Sequence, residues 1–147
     1  SASQLIEGVP LLRRLSPFGA YTEGWALYAE RIAKTDMGMY ENYPLGDLGR
    51  LQSEMFRAVR LVVDSGMHAK RWSREKAITY MIENTGMTEA EVTREIERYV
   101  VWPGQATSYK IGQLRILELR AVAEHRFRDN FDLKHFLYIF QLLVRNF

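Results

Sequence analysis

The sequence predicts an all-α protein, a multi-helix bundle of about six to seven helices forming one domain over residues 1–147. Apolar residues recur at three- and four-residue steps along most of the chain. No alternating strand pattern of useful length appears, nor any internal repeat or low-complexity tract. The helical segments are separated by recognisable caps and breakers.

In chain order, a first helix is expected over roughly Tyr21 to Lys34. The loop M-G-M-Y-E-N-Y-P-L-G-D follows, broken by Gly38, Pro44 and Gly46. Asp47 is then a good N-cap for a helix to about His68, with Leu48, Leu51, Met55, Val59 and Val62 as its apolar face. Ser73 can cap a helix through Asn84, with Glu75 near its positive end, and Gly86 closes it. T-E-A-E from Thr88 forms a capping box with Glu91 in the reciprocal position. That helix stops near W-P-G-Q, Trp102 to Gln105, and a long segment runs from about Ser108 to Arg128. Asp132 caps a last helix that is apolar on nearly every side through Phe136, Leu137, Ile139, Phe140, Leu142, Leu143 and Val144. Such a helix is normally buried all round, so a partner surface is expected to cover it, and left exposed it would favour self-association.

Composition removes several function classes. Hydrophobic residues make up 47% and charged residues 26%, which is ordinary for a globular domain. No apolar run is long enough to span a bilayer, and no signal-like segment opens the chain. Cysteine is absent, which excludes disulfides, thiolate nucleophiles and Cys-based zinc sites. The net charge is only +2, and Arg13-Arg14 and Lys70-Arg71 are the notable adjacent basic pairs. A nucleic-acid binder concentrates its basic residues in a stripe, so nucleic acid is not an expected partner.

Converging polar groups are few. No H-E-x-x-H, G-x-S-x-G, P-loop or dinucleotide fingerprint is present. His125 and His135 lie among charged residues and read as surface positions. His68 follows Asp64 by four residues, so carboxylate and imidazole share a helix face and can pair; a cationic cap of the helix C-terminus explains it equally well. Gly112 lowers the stability of its helix and needs a reason, either close packing or a nearby ligand. Tyr109 could donate a hydrogen bond to a developing oxyanion. In A-Y-T-E-G-W-A-L-Y-A-E-R, Glu23, Ala26, Leu27 and Glu30 lie along one side of a helix, and Ala26 and Leu27 argue that this side packs inward. An inward carboxylate must pair, protonate or bind a cation, and these residues supply no partner for Glu23.

Four blocks resemble a bacterial family catalogued as domain of unknown function 885: E-G-W-A-L-Y-A-E (Glu23 to Glu30), G-R-L-Q-S-E-M-F-R-A-V-R-L-V-V-D-S-G-M-H (Gly49 to His68), W-S-R-E-K-A (Trp72 to Ala77) and V-W-P-G-Q-A-T-S-Y-K-I-G-Q (Val101 to Gln113). They come in the family's order and cover Tyr21 to about Asp132. Members of that family resemble gluzincin metallopeptidases, with an H-E-x-x-P-G-H-H type motif upstream of the E-G-W segment. The resemblance implies that two histidines of that motif and Glu23 bind zinc, and that the motif's own Glu activates water. It makes His68 and Tyr109 candidates to hold a peptide substrate or its oxyanion, and it gives Gly24 the task of letting a neighbouring helix come close.

The start S-A-S-Q-L-I-E-G-V-P reads as the middle of a longer protein, just after the place of the missing motif. After Asp132 the family continues through an Asn-Gly turn, whereas this chain stops at R-N-F. The expectation is therefore the C-terminal helical part of a zinc peptidase, with the upstream part of the same protein as its partner. Zinc is expected in the intact parent, and neither metal binding nor hydrolysis by this piece alone. A non-catalytic helical module that self-associates is the other reading, and the state of the upstream motif distinguishes the two.

Overall fold

A computed structural model describes residues 18–146. The basic pair Arg13-Arg14, the opening segment and the closing phenylalanine lie outside the described residues, as does the side chain of Val144. Among the described residues there are six α-helices and no strand: α1 (Gly19–Thr35), α2 (Pro44–Lys70), α3 (Arg74–Thr85), α4 (Glu89–Val101), α5 (Gln105–Phe127) and α6 (Leu133–Asn146). A single 3-10 turn, Arg128–Asn130, joins the last two.

Capping chemistry sets most boundaries. Ser73 accepts the Lys76 N–H and starts α3, and Gly86 ends it in the left-handed conformation. Thr88 and Glu91 form the reciprocal capping box of α4. The Asp132 carboxylate accepts the His135 N–H at 2.6 Å at the start of α6. Asp47 behaves differently from expectation. Helix α2 begins three residues earlier, with Pro44 in its first turn, where a missing N–H costs nothing. The Asp47 carboxylate instead binds Arg50 at 2.8 Å and Lys34 at 3.2 Å. Helix α5 also starts ahead of the expected Ser108, because Gly104 at φ +82° turns the chain directly into Gln105.

The principal core forms where α2, α3 and α4 meet the first turn of α5. Val59, Val63, Ala77, Ile78, Met81, Val92, Ile96, Tyr99 and Ala106 pack there. The inward face of α2 is rotated from the expected one. Val59 is buried as predicted, but Leu48 is 61% exposed, and Leu51, Met55 and Val62 are exposed as well. Arg60, Val63, Asp64 and Gly66 turn inward in their place. Hydrophobic periodicity alone could not select that face, because it counts Arg60 and Asp64 as solvated and their partners lie on distant elements.

Helices α1 and α5 make the most intimate pair. A Cβ on Gly24 would stand 2.4 Å from the Gly112 backbone, and one on Gly112 would stand 1.8 Å from the Ala20 carbonyl oxygen. Close packing is therefore the reason for both glycines. The helices run parallel, from Gly19 beside Ser108 to Asp36 on Arg120. Helix α6 lies against α1 through Phe140, whose ring stacks on Trp25 at 5.6 Å and tilts against Tyr21. Its other side is not enclosed among the described residues, where Tyr138, Ile139 and Leu143 remain exposed. None of the described helices is long and apolar enough to cross a membrane.

Candidate functional site

The inward polar residues of α2 organise the site. Asp64 is 1% exposed, and a carboxylate buried that deeply requires donors. It receives the Gly104 N–H at 3.0 Å and meets His68 Nδ1 at 2.7 Å. The spacing of four residues thus produces the expected pair, and Asp64 also clamps the Pro103-Gly104 turn onto α2. His68 lies in the last turn of α2, as its reading as a basic residue at the helix C-terminus expects, but another residue closes the helix. That residue is Arg71, at φ +53°, with its N–H returning to the Gly66 carbonyl.

The clamped turn delivers Gln105 into a cluster around Tyr109. Gln105 Oε1 accepts from Arg60 Nη2 at 3.1 Å and from Arg98 Nη1 at 3.3 Å. Its Nε2 reaches the Tyr109 hydroxyl at 3.5 Å. Arg60 is 5% exposed, and its guanidinium lies 4.5 Å from the centre of the Tyr109 ring, with Phe56 and Tyr99 also within cation–π range. Arg57, one turn earlier, approaches the Tyr109 ring to 6.0 Å. Glu95 anchors the far side, accepting from Arg98 at 2.6 Å and from the Tyr99 hydroxyl at 2.7 Å. Burial alone would raise the Glu95 carboxyl, but these hydrogen bonds hold it below the usual range. Burial, reinforced by the bond to Glu95, pushes the Tyr99 phenol well above its ordinary value.

His68 and Tyr109 therefore sit at two ends of one polar chain that runs through Asp64, Gly104 and Gln105. Glu23 stands apart from that chain. It is half-buried on α1, immediately before Gly24, and has no hydrogen bond or ion pair among the described residues. The face expected to carry it inward is corrected: Ala26 is exposed, and α1 buries Gly24, Leu27 and Tyr28. Glu23 lies at the edge of that face. Tyr109 lies three residues before Gly112, so the glycine crossing holds the turn carrying Glu23 beside the turn carrying Tyr109. Among the described residues, no group of three or more His, Cys, Asp or Glu side chains could hold a metal ion.

The chain matches, over residues 1–137, the family described as bacterial protein of unknown function, DUF885. The chain belongs to that family. It is also similar to the crystal structure of the "putative lipoprotein from Colwellia psychrerythraea", with 63% identity and a TM-score of 0.82. That match covers 86% of this chain but 22% of the Colwellia chain, so this chain spans about a fifth of the length of that structure's chain. No curated protein matches it.

The arginines and Gln105 were not singled out from the sequence of this DUF885 chain. The available signal was R-A-V-R, Arg57 to Arg60, set inside the apolar run M-F-R-A-V-R-L-V-V. Two cations on one inward helix face need partners from outside that helix.

Proposed function

We propose that this DUF885 chain is the helical part of a zinc-dependent peptidase that supplies one metal ligand, Glu23, and one wall of the substrate cleft. A single observation carries the reading. Glu23 is a half-buried carboxylate without a protein partner among the described residues, fixed at a backbone-to-backbone helix crossing one turn from Tyr109. A carboxylate held on a rigid element and left unpaired suits a cation ligand. The donors among the described residues do not complete a zinc site, so Glu23 fits zinc only together with ligands from outside them, as in a longer protein.

The chain's own residues then have defined tasks. Tyr109, with Gln105 behind its hydroxyl, can donate its phenolic proton in a hydrogen bond to an oxyanion. Asp64 holds His68 by Nδ1, which leaves Nε2 directed away from the pair and available to a substrate. The glycine crossing keeps the helix that carries Glu23 at fixed separation from the helix that carries Tyr109.

The test uses the longer protein that contains this segment, with Glu23→Ala beside it, assayed for bound zinc and peptide hydrolysis. The reading predicts about one zinc per chain in the parent, and loss of both metal and turnover in the variant. A variant that keeps its zinc, or a parent that never binds any, would sink it. The non-catalytic, self-associating module is the second reading, favoured by the exposed apolar stripe Leu48, Leu51 and Met55. It requires concentration-dependent oligomers in solution and no zinc in the parent.

A further inference from the structure

We propose that Arg57 and Arg60 form a receptor for the α-carboxylate at the C-terminus of a peptide, which would direct the site to cleave near that end. The identity of this ligand rests on the peptidase reading above.

The charge accounting is unusual at these two positions. Arg50, Arg74, Arg98, Arg115 and Arg120 each sit within ion-pair distance of a carboxylate. Arg57 and Arg60 have none among the described residues. Arg31, Arg71, Arg94, Arg126 and Arg128 have no carboxylate partner among the described residues either, but all five are exposed to water, so Arg57 and Arg60 stand out as the enclosed arginines left unpaired. Arg57 binds only the Ser53 carbonyl, at 3.0 Å, and the Ser53 hydroxyl. Arg60 binds only the neutral amide of Gln105. The Nε–H groups of both are buried without an acceptor. The nearby anion, Glu95, feels Arg60 across space but spends its hydrogen bonds on Arg98 and Tyr99. Two like charges three residues apart on a helix also repel each other. A buried guanidinium with unmade bonds is costly to keep, so an anion bound at Arg57 would relieve that penalty directly and ease the repulsion from Arg60.

Shape indicates which anion. A cavity of about 300 Å³ opens beside Arg57, between α2 and the end of α3, at the lower end of small-molecule size. Gln52, Ser53 and Thr85 give it a polar side, while Phe56 and Met87 give it an apolar one. One polar wall with a cation and one apolar wall suit a carboxylate carrying a single side chain. A polyanion would leave Phe56 and Met87 unused. Arg60 lies behind Arg57 across the Tyr109 ring, reinforcing the positive field at the cavity without reaching solvent. The Tyr109 ring adjoins both arginines, which places the receptor next to the proposed oxyanion donor.

The experiment titrates the 147-residue chain with N-acetyl-alanyl-alanine and with its C-terminal amide, following amide chemical shifts. The acid is expected to bind at least ~10-fold more tightly than the amide, with shifts centred on Ser53, Arg57 and Thr85. Arg57→Gln should abolish that preference, whereas Arg57→Lys should keep part of it, with unchanged circular dichroism in both. Equal binding of acid and amide, no binding of the acid, or an unaltered preference in Arg57→Gln would overturn the proposal. The titration needs neither metal nor turnover, so failure of the peptidase reading does not obscure it. Conversely, a longer protein that hydrolyses acids and amides equally well would overturn the receptor and leave the peptidase reading standing.

Discussion

Helices α2, α3 and α4 bury Val63, Ala77, Met81, Val92 and Ile96 completely, whereas α1 and α5 meet through bare backbone at Gly24 and Gly112. The first region is held by apolar area, which is forgiving in direction and tolerant of modest repacking. The second is held by close approach and by directional polar ties. Gln113 donates to the Leu27 carbonyl at 3.2 Å, and Arg120 grips both oxygens of Asp36 at 2.9 and 2.6 Å. The residues proposed for chemistry, Glu23 and Tyr109, belong to the second region. Its geometry is set by atoms that cannot yield, which is what a site requires, and its contacts are the easier to break selectively.

The largest expected effect comes from emptying the first region. Met81→Ala should destabilise the whole fold by about 2–5 kcal/mol, read as a lowered midpoint in urea. A fall confined to α1 would show that the three-helix core does not organise the rest. Next in size is Gly112→Ala. Its new methyl meets the Ala20 carbonyl rather than a flexible side chain, so overpacking of about 1–3 kcal/mol should outweigh the ~1 kcal/mol gained in helix propensity. Hydrogen exchange should then rise across 19–35 while 59–99 stays protected. Uniform exchange over both regions would mean that they unfold as one unit.

The smallest effect is electrostatic. Hydrogen bonds from Arg120 hold the Asp36 carboxyl below its ordinary value against an opposing effect of burial. A depressed folded-state pKa contributes stability above the unfolded value of about 3.9, and that stability is lost as pH falls through the folded value. Acidification from neutrality to below that range should therefore loosen the α1–α5 pair, and Asp36→Asn should flatten this part of the pH profile. The opposite holds for Tyr99. Burial raises its phenol, so the stability it contributes is present at neutral pH and lost as pH rises past about 10. Alkaline titration should thus strain the α2–α4 core, where acid does not.

Different kinds of information were legible in the sequence to different depths. Ser73, Gly86, Thr88, Glu91 and Asp132 could be read as helix ends because caps act over three or four residues. The pairing of Asp64 with His68 was legible for the same reason. Leu48, Leu51 and Met55 misled, because their spacing is faultless but another face of α2 meets the rest of the protein. The cluster of Arg60, Gln105 and Tyr109 was out of reach, since it joins residues 45 positions apart in sequence.

By itself, the sequence determined that this chain is helical, where most of its helices stop, and that it carries the four blocks of its family. These properties follow from hydrogen bonds and side-chain periodicity within a turn or two of helix. Only the tertiary structure decided which face of α2 is buried, how closely Gly24 and Gly112 approach the facing helix, and that the enclosed Arg57 and Arg60 lack counter-ions among the described residues. Those depend on contacts between helices, and a one-dimensional pattern records the residues that can make such contacts without recording which of them meet.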